Sequence, residues 1–253
     1  MTSHPPISAP TIKFVLCDIE GTTTDIAFVK DTLFPFAATH LPDFIRAHGA
    51  REEVREQLRL AASGGGMSAD DDEDVIALLL QWIEEDRKAT PLKTLQGMIW
   101  REGYERGILK GHLYEDAHQV LRHWHTQGIH LGVYSSGSVA AQILLFKYSI
   151  FGDLAALFSA HFDTLVGHKR DESSYRAINQ SLIERNLISG PSEILFLSDI
   201  VEELDAAGAA GMNTAELRRD KLPPSQEHIS VHTFDELTPH YHFTQNEKQK
   251  SQT

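Results

Sequence analysis

Three apolar runs of strand length, each closing on polar residues, constrain this chain more than any other feature: Lys13 to Ile19, "IHLGVY" at 129–134 and "EILFLSD" at 193–199. "FDTLV" at 162–166 and "GMNTAEL" at 211–217 repeat the pattern more weakly. Runs without polar alternation suit strands covered on both faces, as in a parallel sheet. Helical patterns separate them, in "YEDAHQVLRHWHTQG", "SVAAQILLFKYS", "SSYRAINQSLIERN" and "IVEELDAAGAAG". This alternation predicts an α/β fold with a doubly wound, Rossmann-like parallel sheet. Residues 26–110 interrupt it, holding no convincing strand but helical stretches around Val29 to His48, Glu52 to Ala62, Glu73 to Lys88 and Leu92 to Arg106. They are predicted to form an inserted all-helical cap on a discontinuous core of residues 1–25 and 111–253. The three prolines of the first ten residues, and the polar stretch from about 241 to 253, read as poorly ordered tails.

Composition excludes several classes of function. A formal charge of −13, from 23 basic and 36 acidic residues, argues against nucleic acid or an anionic membrane as a partner. No run approaches the roughly 20 apolar residues of a membrane helix, and the first residues lack a signal-peptide pattern. The single cysteine, Cys17, allows no intramolecular disulfide, and strand alternation turns it away from Asp18 as a small buried hydrophobe. A soluble cytoplasmic protein is expected.

The chemistry-bearing residues sit where the strands end, which is where ligands bind in open α/β sheets. Asp18 and Glu20 close the first run before Gly21. Two carboxylates so close repel, and a divalent cation with a preference for oxygen ligands removes the conflict. Ser135 and Ser136 follow the second run, offering hydroxyl and N–H groups to an anion ahead of a helix that starts near Ser138. Lys169 lies in the loop of "LVGHKRDESSY", and Asp199 ends "LFLSD", with Glu202 and Glu203 three and four residues on. Taken singly, each has a plainer reading: an Asx turn with Thr22 to Thr24 capping a helix, a turn, a surface lysine, and a helix N-cap with a capping box. Jointly, an acid pair, a hydroxyl pair, a lysine and a further acid in order at successive strand ends make a phosphoryl-transfer site. A carboxylate can attack phosphorus only if its charge and the phosphate's are offset by cations and donors.

In this order the segments "DIEGT", "YSSG", the lysine of "GHKRDESSY" and "LSDIVEE" resemble the four motifs of the haloacid dehalogenase superfamily. The Glu of "DIEGTTTDI", the "SSGS" segment, "LQGMIWREGY" and "HFDTLVGHK" look like its enolase-phosphatase family of methionine salvage, over residues 12 to 217. The resemblance implies an enzyme that enolises 2,3-diketo-5-methylthiopentyl 1-phosphate and then hydrolyses the phosphate to give the acireductone, as a monomer with one Mg2+. It implies Asp18 as nucleophile and metal ligand, Glu20 as general acid and base with a backbone metal ligand, and Lys169 as catalytic and substrate-binding cation. Ser135 and Ser136 would hold phosphate and substrate, and Asp199 would complete the metal shell with Glu203 behind it. The insert would close over the crevice as a cap, with Gln96 and Trp100 as candidate substrate contacts and Trp100 equally readable as a cap-core aromatic.

Two departures stand out. Met98 occupies a place where His is expected, and the stretch after Leu217 lacks the family's arginine-proline-glycine-asparagine ending, so no role is carried there. Rival readings are a phosphatase for another small metabolite, a metal-free dehalogenase, which would not need Glu20 and Asp199 around a cation, and a receiver-type signalling domain, which would have no reason for an 85-residue insert (residues 26 to 110). The histidine pairs of "RHWHTQ" and "HYHF", on a helix of mixed exposure and in a tail, read as surface residues.

Overall fold

The computed structural model describes residues 9–85, 87–219 and 223–244. It has two compact units, one made of the chain up to Asp25 and from His112 onward, the other of Ile26–Gly111. The first begins with β1 (Thr11–Ile12) and β2 (Phe14–Cys17). The second is helical: α1 (Ile26–Phe28), a wide π turn over Val29–Leu33, α2 (Phe34–His48), α3 (Glu52–Gly64), α4 (Asp72–Glu84) and α5 (Thr90–Glu105). Its core follows from helical spacing, with Leu41 and Ile45, Val54 and Leu58, Val75, Leu79 and Trp82, and Leu95 and Ile99 all buried together. Pro35, which has no N–H to give back along the helix, is the second residue of α2, just past the π turn. The acidic run before α4 serves as a cap, since the Asp71 side chain accepts the Glu73 N–H at 2.8 Å.

The first unit resumes with α6 (Glu115–Thr126), β3 (His130–Tyr134), α7 (Val139–Lys147) and β4 (Phe158–Phe162). It continues through α8 (Glu172–Glu184), β5 (Ile194–Ser198), α9 (Val201–Ala209), β6 (Asn213–Leu217), β7 (Ile229–Val231) and β8 (His242–Phe243). Six strands form a wholly parallel sheet in the order β4-β3-β2-β5-β6-β7. β2 is central and buried along its length. Phe14, Leu16, Ile194 and Phe196 pack with Tyr134, Tyr175, Ile178 and Leu204 into the core that backs the sheet. The fold is thus the expected doubly wound α/β sheet, and the order of its strands turns back at β2, where β3 and β5 lie on opposite sides.

Two sequence expectations need correction. The weak strand assigned to 162–166 lies earlier, at Phe158–Phe162, while Val166 N–H closes a turn onto the Asp163 carbonyl at 3.1 Å. β4 is an edge strand with Ser159, His161 and Phe162 only half-buried, so it lacks the continuous apolar run that marks an interior strand. The expected C-terminal tail is structured as far as residue 244, because β8 pairs with β1 and Phe243 stacks on Trp124 at 4.7 Å. The rest of both predicted tails, residues 1–8 and 245–253, lies outside the described residues. No helix among the described residues is long and apolar enough to cross a membrane.

Candidate active site

Strand register brings the predicted residues of the core to one edge. Cys17 is level with Val133 of β3 and Leu197 of β5, so Asp18, Tyr134 and Ser198 come next in line, with Ser135 and Asp199 one residue further. The Asp18 N–H donates to the Leu197 carbonyl at 2.9 Å, extending the β2–β5 ladder up to the nucleophile candidate. These are the carboxyl ends of strands flanking the point where the sheet reverses its order, the ligand crevice of an open α/β fold.

The side chains form a dense charged cluster. Lys169 Nζ lies 2.6 Å from Asp18 Oδ1 and 2.6 Å from Glu203 Oε2, and all three side chains are at most 10% exposed. Glu203 Oε2 also accepts the Ser198 hydroxyl at 2.9 Å. Burial alone pulls the ammonium pKa down, but the two carboxylates outweigh it and Lys169 is held above its usual value, firmly cationic. Burial first, then the charge of Asp18, raises the Glu203 carboxyl. The same two causes in the same order push Asp199 up to about 7. One lysine therefore faces three carboxylates, and with all of them ionised two negative charges stay uncompensated.

That deficit bears on a metal. Asp199 Oδ1 is buried and has no hydrogen-bond partner, which is costly for a carboxylate unless a cation meets it. No three His, Cys, Asp or Glu side chains converge as a ready cage among the described residues. The expected set needs only two carboxylates, Asp18 and Asp199, with the backbone oxygen of Glu20. An all-oxygen set with a net charge of −2 around it fits Mg2+.

The turn after β2 is tightly wound. The Ile19 carbonyl faces the N–H groups of Thr22, Thr23 and Thr24 at 3.2, 3.0 and 2.8 Å, and Gly21 donates to the Thr24 carbonyl at 2.8 Å. Gly21 has φ +77°, and a Cβ there would fall on the Asp199 carboxylate. The threonines do not cap a helix, as the plainer reading had them. Thr23 Oγ1 donates back to the Asp18 and Ile19 carbonyls, and Thr24 Oγ1 donates to the His112 carbonyl at 2.8 Å. Nor does Asp199 cap α9, whose N-cap is Ile200 and makes no side-chain bond.

Ser135 is buried, its hydroxyl accepting the Gly137 N–H at 3.1 Å, whereas Ser136 is exposed. α7 starts as expected, with Ser138 Oγ accepting the Ala141 N–H. Glu203, read as standing behind Asp199, has Ser198 and Lys169 as its partners instead. Gln96 is buried in the helical unit, and the Trp100 indole N–H is committed there to the Leu33 carbonyl at 2.8 Å. A cleft of about 250 Å³ in that unit, lined by Phe36, His40, Phe44, His48 and Ile99 among others, contains none of the predicted site residues.

The sequence reading passed over the groups that aim Lys169. Tyr175 Oη donates to the Lys169 carbonyl at 2.7 Å, Ser174 Oγ to the His168 carbonyl at 2.8 Å, and Tyr134 Oη to the Gly167 carbonyl at 3.1 Å. Gly167, at φ +144°, leaves no room for a Cβ beside Ser174 Oγ. Tyr175 and Ser174 stand at the start of α8 in the quoted segment "GHKRDESSY", a signal that was available. Tyr134 read only as the last apolar residue of its strand.

Comparisons with known proteins show the family of the chain. The pattern of the haloacid dehalogenase-like hydrolases matches residues 12–211. Enolase-phosphatase E1 of Pseudomonas syringae pv. syringae is 57% identical over 209 residues, covering 83% of this chain and 90% of that protein. Enolase-phosphatase E1 of Pseudomonas fluorescens is 50% identical over 229 residues, covering 90% and 98%. Among solved structures, the UTR4 protein of Saccharomyces cerevisiae superposes with a TM-score of 0.74 at 32% identity, over 88% of this chain and 99% of its own.

Proposed function

The chain belongs to the haloacid dehalogenase-like hydrolases and within them to the enolase-phosphatases, and on that premise we propose that it enolises 2,3-diketo-5-methylthiopentyl 1-phosphate and hydrolyses the phosphate to yield the acireductone of methionine salvage. The observation that carries the reading is the buried cluster at the end of β2, in which Lys169 bridges Asp18 and Glu203 beside the unpartnered oxygen of Asp199.

In enolisation a base removes a proton from C1, beside the C2 carbonyl, and a proton is returned to the C2 oxygen. Glu20 as carboxylate is proposed to take the C1 proton and keep it, its extra methylene over Asp giving the reach, while solvent supplies the proton of the C2 oxygen and takes up the one Glu20 gains at the end of each turnover. Lys169 holds Asp18 Oδ1, so Oδ2 is the oxygen that attacks phosphorus. The bond between phosphorus and the C1 oxygen breaks, Glu20 protonates that oxygen, and an aspartyl-phosphate remains on Asp18. Glu20, now a carboxylate, takes a proton from water, whose oxygen attacks phosphorus and returns the free Asp18 carboxylate and inorganic phosphate. Lys169 stays charged throughout and offsets the nucleophile and the phosphate oxygens. Ser135 and Ser136 bind the phosphate with hydroxyl and N–H groups. Asp18, Asp199 and the Glu20 carbonyl would hold one Mg2+, which would supply charge neutralisation to the transferring group. The protein is proposed to act as a monomer.

Phosphate release and acireductone absorbance, followed together from the diketo phosphate with and without Mg2+, test the assignment. Wild type yields both products only with Mg2+, and Asp18→Asn releases no phosphate. Hydrolysis of simple phosphates with the diketone ignored overturns the substrate, and an active Asp18→Asn overturns the nucleophile.

A further inference from the structure

The turn that carries Asp18 and Glu20 must satisfy its carbonyl groups as well as its N–H groups. The Thr24 carbonyl takes the Gly21 N–H, and the Thr23 carbonyl takes that of Tyr114 at 3.0 Å. The Thr22 carbonyl is met by a residue from far along the chain: Arg219 donates to it through Nε at 3.1 Å and Nη2 at 2.8 Å. The third nitrogen of the same guanidinium, Nη1, donates to Asp116 Oδ1 and Oδ2 at 3.0 and 2.9 Å and to the His232 carbonyl at 3.1 Å. The group lies 4.1 Å from the Tyr114 ring centroid and 5.5 Å from that of Phe234, and the Arg219 side chain is only 14% exposed. Asp116 is fixed in turn, its Oδ2 accepting the Phe234 N–H at 2.9 Å.

A guanidinium is a rigid planar fork, so one gripped by a carboxylate at one end and stacked on a ring cannot swing. Arg219 therefore joins α6 and the chain after β7 to a single carbonyl of the catalytic turn. That carbonyl is one residue past Gly21, where a Cβ would fall on the Asp199 carboxylate, and two past Glu20.

We propose that Arg219 is a positioning residue, which grips the Thr22 carbonyl and so holds Glu20 in register with Asp18 for proton transfer. The proposal rests on the reading of Asp18 as nucleophile and Glu20 as acid and base. Arg219 touches no reacting atom in this assignment, and its effect belongs to the chemical steps rather than to substrate capture.

Steady-state phosphate release from the diketo phosphate at saturating Mg2+ tests it on the full chain. Wild type, Asp18→Asn, Arg219→Gln, Arg219→Lys, Asp116→Asn and the Arg219→Gln/Asp116→Asn pair are compared, with thermal melts establishing that each is folded at the assay temperature. Arg219→Gln is expected to lower kcat on the order of 10- to 100-fold with KM within about threefold of wild type. Arg219→Lys, which keeps one donor, recovers part of the loss. Asp116→Asn gives a smaller loss that does not add to that of Arg219→Gln, because Asp116 acts through the guanidinium. A folded Arg219→Gln with kcat within about twofold of wild type overturns the proposal, as does a raised KM at unchanged kcat. Where Arg219→Gln does not fold, Arg219→Lys and Asp116→Asn decide by the same criteria. A wild type that releases no phosphate, or an Asp18→Asn that does, brings down the functional reading and this proposal together. Loss confined to Asp18→Asn brings down this proposal alone.

Discussion

At Gly21 the backbone runs at φ +77°, and a Cβ built there would sit 2.6 Å from the Asp199 carboxyl carbon. Two separate costs therefore attach to any side chain. The conformation costs an L-residue about 1–2 kcal/mol, and the contact displaces a proposed metal ligand. Gly21→Ala is expected to lose about that much stability in a urea melt, while Mg2+-activated turnover falls on the order of 100-fold through misplacement of the reacting groups. Equal Mg2+ activation constants for variant and wild type would show that the close approach to Asp199 is incidental. The same logic of fixed neighbours applies to Lys169. Its charge follows from two carboxylates, and its direction from three hydroxyls that hold the backbone at Gly167, His168 and Lys169.

Among the elements, the short strands at the ends of the chain do more than their length suggests. β1 and β8 make a separate two-stranded parallel sheet, Tyr241 is buried with its hydroxyl on the Thr214 carbonyl at 2.8 Å, and Phe243 stacks on Trp124 of α6. α6 also carries Asp116, the anchor of Arg219. Phe243→Ala removes a half-buried ring and its stack, so a loss of about 1–3 kcal/mol is expected in chemical denaturation. An unchanged midpoint would mean that β8 merely lies on the surface. β4 and β7, the sheet edges, were the elements hardest to read in the chain. An edge strand is covered on fewer sides, so selection for a continuous apolar run is weaker there, and three residues in β7 are too few for any period to show.

Over the whole molecule, the pH response follows from buried titrating groups. His112, His130 and His161 are held below the ordinary histidine value, in each case first by burial. For such a group the unfolded chain binds the proton more readily, so stability is lost as pH falls through about 6.5 and towards the lower folded value. The raised carboxyls of Asp199 and Glu203 work in the opposite sense, taking up protons in the folded state. Denaturation midpoints measured between pH 7 and 5 for wild type, His130→Gln and His161→Gln separate the two contributions. Each variant is expected to lose less stability on acidification than wild type does, and parallel curves would exclude the histidines as the source.

The strands β2, β3, β5 and β6, the α/β class and the helical character of residues 26–110 were legible in the chain because each depends on local pattern, on which faces of a short segment are apolar. Asp18, Ser135 and Asp199 stood out as candidates for the same reason, since each follows an apolar strand and a parallel sheet carries its strand ends to one edge, whereas Lys169 lies in the loop beyond an edge strand that lacks such a run. The C-terminal stretch was not legible. Its few apolar residues have no periodicity, and the ordering of Tyr241 and Phe243 comes from Thr214 and Trp124, partners distant in sequence. Arg219 illustrates the limit most clearly. An arginine in "ELRRD" reads as a surface charge, and its grip on the Thr22 carbonyl, 197 residues away, exists only because β6 runs parallel to β5, and β5 to β2, ending at the same edge. Local sequence sets which groups are available, and folding alone sets which of them share a dielectric, a hydrogen bond and a charge.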